Sequence, residues 1–302
     1  MEFLYLLEGI RNPWLTKLML LITELGGETA FLVAALTVFW CLDKRRGYYL
    51  LTVGFAGTVC NQFLKLCFRV PRPWVLDPGF TPVEEAVSEA AGFSFPSGHS
   101  QSSVGTFGSL AVTARNRVIR WICIALVVLV PFSRMYLGVH TPKDVLVGAA
   151  ISLALVFLIR PLVYRDKAMG WVVAGMITLA VGYLAFTCFY PFPADMDLYN
   201  LEHGREAGCT LLGCVLAVGV VYPVERRWVR FPNEAVWWAQ ILKILGGLAL
   251  VLAVKSGLKA PLNALLPALP ARAVRYFLVV VAAGLVWPMT FRWFSRLGRK
   301  KT

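Results

Sequence analysis

Apolar stretches of membrane-spanning length constrain the fold of this chain more than any other feature of its sequence. A helix needs about 20 apolar residues to cross the hydrocarbon core of a bilayer. We predict about nine such spans, at residues 28–42, 47–68, 97–114, 118–138, 144–159, 168–190, 207–224, 236–254 and 273–292. Because 58% of the 302 residues are hydrophobic and only 16% are charged, we expect an integral membrane protein.

These spans are expected to be helices rather than strands of a barrel. Inside a bilayer the protein itself must satisfy its backbone polar groups, and the alternating apolar and polar pattern of a membrane strand is missing. The sequence therefore predicts an all-α fold, a polytopic helical bundle. Residues 1–25 have no basic start and no small-residue cleavage site, so we interpret them as an interfacial or re-entrant segment rather than a removed signal peptide.

The basic residues indicate how the bundle is oriented. Lys and Arg gather in alternate predicted loops: Lys44, Arg45 and Arg46; Arg115, Arg117 and Arg120; Arg160, Arg165 and Lys167; Arg226, Arg227 and Arg230; Arg296, Arg299, Lys300 and Lys301. Such loops face the cytoplasm, so an odd number of crossings leaves the N-terminus outside and the C-terminus inside. The basic residues behind the net charge of +13 lie mainly in these alternate loops. This distribution argues against a nucleic-acid partner.

The cysteines and the lack of internal repeats bear on domain organisation. The seven cysteines lie almost all within or at the ends of apolar spans and form no C-x-x-C pair. We interpret them as small packing residues rather than metal or redox groups. We predict one integral-membrane domain over residues 1–302, with a motif-bearing core at 28–165 and accessory helices at 166–302.

Three polar clusters interrupt the apolar sequence. They are KLCFRVPRP at 65–73, FPSGHS at 95–100 and SRMYLGVHTPKD at 133–144, and each adjoins a predicted outer loop. Ionisable residues at membrane depth are costly and usually mark a function. The clusters hold two of the three histidines of the chain, and their cations Lys65, Arg72 and Arg134 outnumber nearby acids. We therefore predict a site for an anion.

Two of these clusters also contain signals for the start of a helix. Ser97 is suited to cap the helix that follows, and Gly98 lets a ligand approach the backbone. The N–H groups of a helix N-terminus bind phosphate well. Pro142 predicts the start of the next span, which places His140 just before that helix and Asp144 in its first turn.

Each polar residue also has a purely structural interpretation. Asp144 could be a first-turn capping acid, Lys65 and Arg72 could snorkel to lipid headgroups, and His99 could be a hydrogen-bonded interface residue. Their collection at one membrane face, with an excess of positive charge, favours the anion site. Outside the clusters, we interpret His203 as a solvated loop histidine and Lys243 as a snorkelling lysine.

Together the clusters resemble the signature of a known superfamily. The residues that match in order and spacing are Lys65, Arg72 and Pro73; Pro96, Ser97, Gly98 and His99; Ser133, Arg134, Gly138, His140 and Asp144. This pattern is similar to the three-part signature of the type-2 phosphatidic acid phosphatase and vanadium haloperoxidase superfamily. The resemblance covers about residues 28–165 and implies a helical bundle with metal-independent phosphatase activity on lipid phosphates or diphosphates.

The resemblance also implies roles for individual residues. His140 would attack phosphorus, Asp144 would accept the other ring N–H of His140, and His99 would protonate the leaving oxygen. The residues implied to bind phosphate are Lys65, Arg72, Ser97, Gly98 and Arg134. Neither a metal nor a cofactor is expected.

We therefore expect a phosphatase of membrane lipids, in the plasma membrane of a bacterium and with its site on the extracytoplasmic face. Polyprenyl diphosphate, phosphatidylglycerol phosphate and phosphatidic acid are the expected substrates, in that order. Nine spans with an outside N-terminus are also similar to the glucose-6-phosphatase branch, so a soluble ester such as a sugar phosphate is the alternative. A lipid-phosphate transporter or binding protein is a second alternative, and a haloperoxidase is less favoured because of the membrane spans.

Overall fold

The computed structural model describes residues 1–88, 90, 92–165 and 168–298. Over these residues the chain forms helices and no β-strand, which confirms the all-α prediction. The helices are α1 (Glu2–Gly9), α2 (Pro13–Glu24), α3 (Glu28–Thr37), α4 (Lys44–Phe68), α5 (Pro73–Leu76), α6 (Glu84–Val87), α7 (Gly98–Thr113), α8 (Arg117–Tyr136), α9 (Pro142–Tyr164), α10 (Met169–Phe189), α11 (Leu198–Val224), α12 (Trp237–Gly257), α13 (Lys259–Leu265), α14 (Ala268–Val281) and α15 (Phe291–Phe294). Turns of π-helix continue α3, α11 and α14.

Seven of the described helical segments are long and apolar enough to cross a membrane. They are Lys44–Leu76, Arg117–Tyr136, Pro142–Tyr164, Met169–Phe189, Leu198–Val229, Trp237–Leu265 and Ala268–Phe294. An eighth is present if α2 and the segment Glu28–Leu42, which are bent by 51°, form one broken span. The sequence predicts about nine because it counts residues 97–114, where α7 has only 16 residues.

The first 25 residues are largely helical and pack beside α8. The side chain of Asn12 caps α2 by accepting a hydrogen bond from the amide of Leu15, and Pro13 occupies the first turn. Met19 of α2 is buried in a cluster with Tyr136 and Leu137, which follow one another at the end of α8. The interfacial or re-entrant interpretation of this segment stays a prediction.

The chain forms two compact units. The first contains Met1–Leu32, Tyr49–Pro161 and Asp195–His203, and the second contains Val33–Tyr48, Leu162–Ala194 and Gly204–Thr302. All three polar clusters belong to the first unit. The predicted division into a core at 28–165 and accessory helices at 166–302 stays a prediction.

In the first unit, close helix packing brings the polar clusters together. The hydroxyl of Tyr49 on α4 donates to the backbone oxygen of Val156 on α9. Ser152 on α9 donates to the backbone oxygen of Gln101 on α7 at 2.7 Å. Since α7 and α8 are joined by a short loop and run antiparallel, the start of α7 and the end of α8 lie at the same end of the unit.

In the second unit, the interpretation of Lys243 as a snorkelling lysine is wrong. Its side chain is 0% exposed. The ammonium group donates to the backbone oxygens of Trp40 at 2.9 Å and Asn233 at 3.0 Å, and lies 4.2 Å from the centre of the Phe291 ring. Trp40 lies in the π turn Val38–Leu42 and Asn233 in an irregular segment. Irregular backbone leaves carbonyl groups available, so the lysine binds inside the protein instead of reaching water.

Candidate active site

Residues from all three polar clusters line one cavity of about 400 Å³ in the first unit. The predicted site residues on its wall are Lys65, Arg72, Gly98, His99, Arg134 and His140. They come from the end of α4, the residue before α5, the start of α7, the end of α8 and the loop just before α9. Ser97 and Asp144 are buried next to them. The structure thus brings together residues that are up to 79 positions apart, from Lys65 to Asp144.

His140 lies just before α9 and its two ring nitrogens have different surroundings. Nε2 is 3.0 Å from Nη1 of Arg72. Nδ1 is 3.4 Å from Oγ of Ser94 and 3.6 Å from Oδ2 of Asp144. Because a guanidinium group can only donate, Nε2 is the acceptor in the contact with Arg72. This geometry favours the tautomer with its proton on Nδ1, facing the carboxylate, and with the lone pair of Nε2 available.

The imidazole of His140 is only 2% exposed. Burial lowers its pKa well below the usual value of 6.5, and the positive charges of Arg72, Arg134 and Lys65 lower it further. The ring is therefore neutral at pH 7. A neutral imidazole is the form that can act as a nucleophile.

Asp144 makes both contacts that its sequence position suggests, one with the start of α9 and one with His140. Its Oδ2 atom accepts a hydrogen bond from the amide of Thr141 at 2.8 Å, which is the capping interaction at the start of α9. The same oxygen accepts a hydrogen bond from Oγ of Ser94 at 2.6 Å and faces the ring of His140. Helix capping therefore fixes the carboxylate in a position that faces the ring of His140.

Ser94 is a site residue that the sequence analysis missed. It is fully buried and contacts both Asp144 and His140. The available signal was a hydroxyl between two aromatic residues, Phe93 and Phe95, directly before the PSGH motif. A polar side chain in such a position is buried and needs a hydrogen-bond partner.

The start of α7 forms as predicted. Ser97 is the N-cap residue, and its hydroxyl accepts from the amide of Ser100. The hydroxyl of Ser100 also donates to it, at 2.9 Å. Ser97 is thus bonded within its own helix start, and its phosphate-binding role stays a prediction. His99 is half-buried on the cavity wall, one residue beyond Gly98.

Neutral acceptors orient the three cations of the site. Lys65 donates to the backbone oxygen of Phe93. Arg72 donates to the backbone oxygens of Gly92 at 3.0 Å and Val139 at 2.9 Å. Arg134 is 0% exposed and donates to the hydroxyl of Thr23 at 2.8 Å. These contacts hold the side chains without neutralising their charge, which suits a site for an anion.

Several polar residues of the cavity were not singled out from the sequence. They are Glu24, Glu28, Asn61, Gln62 and Gln101. The amide nitrogen of Gln101 is buried without a hydrogen-bond partner in the described part of the chain. A Cβ atom at Gly57 would lie 2.1 Å from that nitrogen, so the glycine on α4 makes room for the glutamine. The polar residues of this cavity are spaced along the sequence as ordinary packing residues of helices are. The sequence alone therefore gave no reason to assign them to the site.

His203 lies at the rim of the same cavity and is exposed. The interpretation of this residue as a loop histidine is wrong, because α11 begins at Leu198. The helix starts early since Asp197 caps it, its side chain accepting from the amides of Tyr199 and Asn200.

No group of three His, Cys, Asp or Glu side chains among the described residues is placed to hold a metal ion. The cysteines have mixed exposure, from buried Cys123 and Cys209 to exposed Cys67 and Cys188. The expectation that the site works without a metal stays a prediction.

Comparisons with known proteins identify the family. The sequence profile of the PAP2 superfamily matches residues 45–168. Undecaprenyl-diphosphatase BcrC of Bacillus subtilis is 32% identical over 149 residues, which are 49% of this chain and 74% of that protein. This chain belongs to the PAP2 superfamily. The resemblance of its three polar clusters to that superfamily is thus confirmed.

A second family profile and two further proteins are similar to this chain. A profile described as "PAP2 superfamily phosphatase, transmembrane extension" matches residues 209–300. Phosphatidylglycerophosphatase B of Bacillus subtilis is 32% identical over 164 residues, 50% of this chain and 76% of that protein. The crystal structure of a transmembrane PAP2 type phosphatidylglycerolphosphate phosphatase from Bacillus subtilis has 30% identity and a TM-score of 0.44, covering 53% of this chain and 82% of that one. The C-terminal helices, to which the sequence analysis assigned no signature, thus match an extension found with PAP2 phosphatases.

Proposed function

We propose that this protein hydrolyses the phosphomonoester or diphosphate of a membrane lipid through a phosphohistidine intermediate on His140. The single observation that carries the proposal is the cavity in which a neutral, buried imidazole faces three cations. Such a constellation combines a nucleophile with charge stabilisation for a phosphoryl group. Membership of the PAP2 superfamily supports the same reaction.

In the first step, Nε2 of His140 attacks phosphorus in line with the leaving oxygen. The N–P bond forms as the P–O bond to the lipid breaks, and His99 donates a proton to the departing oxygen. Burial and the nearby cations lower the pKa of His99 to about 3 in the free site, so this imidazole takes up its proton together with the bound phosphate, whose negative charge favours the imidazolium. Arg72, which lies 3.0 Å from Nε2 without substrate, turns to a phosphoryl oxygen and so frees the lone pair. Asp144 holds the Nδ1 proton and stabilises the positive charge that develops on the ring.

In the second step, water attacks the phosphohistidine. His99, now neutral, takes a proton from the water, the N–P bond breaks and inorganic phosphate leaves. His140 returns to its neutral form with its proton on Nδ1. The same histidine thus acts as acid and then as base.

Charge stabilisation comes from the residues around the phosphoryl group. Lys65, Arg72 and Arg134 neutralise the three equatorial oxygens, where charge is concentrated in the transition state. The amide of Gly98 at the N-terminus of α7 and the hydroxyl of Ser97 are further donors. Because these groups replace the metal of other phosphatases, no metal takes part in the proposed mechanism.

The membrane helices and the relatives support a lipid substrate. The first unit carries the site on helices of spanning length, so the acyl or prenyl tail can stay in the bilayer while the phosphate enters the cavity. The similar proteins are named as an undecaprenyl-diphosphatase and a phosphatidylglycerophosphatase. We place polyprenyl diphosphate first, phosphatidylglycerol phosphate second and phosphatidic acid third.

A soluble ester such as a sugar phosphate is the second candidate substrate. The observation in its favour is the polar lining of the cavity, where Asn61, Gln62 and Gln101 could bind hydroxyl groups. A lipid-phosphate transporter or binding protein has less support. Binding alone would not require a neutral histidine that is placed beside an aspartate as a nucleophile is.

A phosphate-release assay in detergent tests the reaction. The substrates are a polyprenyl diphosphate, phosphatidylglycerol phosphate, phosphatidic acid and a sugar phosphate, each with wild type, His140→Ala and His203→Ala. We expect wild type to act best on a lipid and His140→Ala to lose at least about a thousandfold in rate, as for other nucleophile deletions. His203→Ala is the matched control, since this histidine lies exposed at the rim and has no role in the mechanism. Equal rates for wild type and His140→Ala would reject the proposal, and preference for the sugar phosphate would reject the lipid substrate.

We further propose a bacterial plasma membrane location, with the site on the extracytoplasmic face, the N-terminus outside and the C-terminus in the cytoplasm. Support comes from the basic loops. Single cysteines at Lys143, beside the site, and Arg117, at the start of α8, test this in a variant without native cysteines. Both positions are exposed. We expect an impermeant maleimide to label Lys143→Cys in intact cells and Arg117→Cys only after permeabilisation; the reverse pattern would contradict the orientation.

A further inference from the structure

Arg11 connects the beginning of the chain to the turn that carries His140. It lies between α1 and α2, before residues 45–168, which match the PAP2 profile. Nε of Arg11 donates to the backbone oxygen of Tyr136 at 3.0 Å, a contact across 125 positions of the chain. Nη1 donates to the backbone oxygen of Thr81, between α5 and α6. One side chain thus joins three separate parts of the first unit.

The guanidinium group also packs on the histidine turn, residues 137–140. Gly138 in this turn has φ 77°, in the left-handed region that favours glycine. A Cβ atom at Gly138 would lie 2.7 Å from Nη2 of Arg11 and 2.8 Å from two atoms of the Phe80 ring. The guanidinium carbon lies 5.4 Å from the centre of that ring. Arg11 and Phe80 therefore cover the turn directly.

Backbone oxygens of the histidine turn accept hydrogen bonds from other segments as well. The amide of Val83 donates to the backbone oxygen of Leu137 at 2.9 Å. Nη1 of Arg72 donates to the backbone oxygen of Val139 at 2.9 Å. Together with the contact from Arg11, these hydrogen bonds fix the position of the imidazole that the turn carries.

Tyr136 gives the N-terminal segment a second attachment to the same place. Its side chain is 0% exposed. The hydroxyl lies 3.2 Å from the hydroxyl of Thr16 and accepts from the amide of Asn12 at 3.4 Å. Because Asn12 also caps α2, the start of that helix is attached to the residue whose carbonyl group Arg11 binds.

Glu8 supports the position of Arg11. Its carboxylate lies 3.9 Å from Nη1 of Arg11 and accepts a hydrogen bond from the amide of Thr81 at 3.3 Å. Glu8 and Arg11 thus bind the amide and the oxygen of the same residue. This geometry keeps the arginine in place over the histidine turn.

We propose that Arg11 is a positioning residue, which holds the histidine turn so that Nε2 of His140 points at phosphorus. The inference rests on the proposed function, because it concerns the nucleophile of that reaction. Among the described residues, Arg11 is not part of the wall of the catalytic cavity, so it acts through the turn and not on the substrate. In-line attack needs close alignment, and a displacement of about 1 Å can cost about a hundredfold in rate. Loss of Arg11 should therefore reduce kcat and leave substrate binding nearly unchanged.

Steady-state kinetics with the lipid that wild type prefers test the proposal. Arg11→Met removes the donors and keeps an unbranched apolar stem, so we expect kcat to fall about tenfold and KM to change less than about twofold. Arg11→Lys keeps the charge without the planar fork of donors and should recover part of the loss. The matched control is Arg120→Met, since Arg120 at the other end of α8 also donates to a backbone oxygen, that of Ala114 at 2.9 Å. The control should keep the kcat of wild type.

The Tm of each variant separates positioning from general destabilisation. Assays are run well below every Tm, where all variants are folded. A purely structural role would then lower the Tm of Arg11→Met and leave kcat unchanged, which would overturn the proposal. A raised KM with unchanged kcat would also overturn it, since Arg11 would then act on substrate binding. If Arg11→Met does not fold, Arg11→Gln takes its place, with the same expected results.

The same assays distinguish failure of this role from failure of the proposed function. Wild type that releases no phosphate would reject the proposed function and the role of Arg11 with it. An active wild type, inactivated by His140→Ala and unaffected by Arg11→Met, would reject the role of Arg11 alone.

Discussion

At the residue scale, the contact between Ser94 and Asp144 defines how His140 is held. Oδ2 of Asp144 is 2.6 Å from Oγ of Ser94 and 3.6 Å from Nδ1 of His140. Ser94 is therefore hydrogen-bonded directly to the carboxylate, while the ring of His140 lies farther from it. We assign Ser94 as a positioning residue that keeps the carboxylate facing the ring.

Replacing Ser94 tests this assignment. Ser94→Ala removes one donor to a buried carboxylate, and we expect it to lower kcat about tenfold, with a loss of roughly 1 kcal/mol in stability, the contribution of one hydrogen bond. KM should change little, because Ser94 does not line the substrate cavity. Ser109→Ala is the control, since Ser109 is equally buried on α7 outside the site. A purely structural role would reduce the Tm and leave kcat unchanged.

The lowered pKa of His140 predicts the pH dependence of the reaction. In the proposed mechanism the neutral ring is the nucleophile, so activity should be lost as pH falls through the pKa of His140. Because burial and three cations hold that pKa well below 6.5, kcat/KM should stay high as pH falls through 6.5 and decline only at lower pH.

Protonation of His140 also favours the unfolded state, where the histidine has its ordinary pKa. The stability of the folded protein should therefore decrease as pH falls below 6.5.

The Arg72→Gln variant gives this prediction a second readout. It removes one of the cations that lower the pKa of His140. The acid limb, which is the fall of kcat/KM at low pH, should therefore move to higher pH even though overall activity falls. The measurement is the position of the limb and not the rate. An acid limb of wild type at or above pH 6.5, or one that Arg72→Gln leaves in place, would contradict the mechanism.

At the element scale, the site depends on how closely α9 approaches the start of α7. The amide of Ser97 donates to the backbone oxygen of Asp144 at 2.9 Å. One turn farther along α9, a Cβ atom at Gly148 would lie 2.6 Å from the backbone oxygen of Ser97. A glycine is therefore required where two helices that carry His99 and Asp144 meet.

Gly148→Ala should push α9 away from the start of α7. We expect a loss of roughly 1–3 kcal/mol in stability, typical of overpacking, together with a fall in kcat because His140 and His99 move apart. Gly175→Ala on α10 is the matched control, since nothing lies within 4 Å of its Cβ position. Removing this helical glycine should leave activity unchanged and stability equal or slightly higher. Thermal unfolding and phosphate release of the two variants check both expectations, and equal behaviour of the variants would contradict the close approach.

Helix existence was predictable from the sequence, but some helix ends were not. The apolar spans at 118–138 and 144–159 correspond to α8 and α9 because long apolar runs specify helices in a bilayer. The start of α11 at Leu198 was missed, since polar residues precede its apolar run and the Asp197 cap was overlooked. In the same way, α7 is shorter than a typical span because it ends at Thr113.

At the scale of the whole molecule, the cavities of the two units differ in the charged side chains that line them. The cavity of the first unit holds three cations beside His99 and His140. The cavity of the second unit holds arginines and a paired carboxylate. Of these two cavities, only the first is lined by histidines.

The proposed mechanism predicts that the whole enzyme works without a divalent metal. Three cations take the place of a metal ion in neutralising the phosphoryl oxygens. Phosphate release by purified protein should therefore be the same with and without EDTA, and added Mg²⁺ or Zn²⁺ should not raise it. Loss of activity in EDTA that is restored by one metal would contradict the proposed mechanism.

The sequence by itself determined the helical membrane fold, the three polar clusters and the superfamily that they resemble. These follow from local properties, the length of apolar runs, helix caps and the spacing of charged residues, which need no knowledge of neighbours. Only the tertiary structure decided that Ser94 bridges to Asp144, that Gly57 makes room for Gln101, that Lys243 binds carbonyl groups inside the protein and that basic loops form a second cavity. Those features depend on how each helix is rotated about its own axis, and packing between residues far apart in the chain sets that rotation.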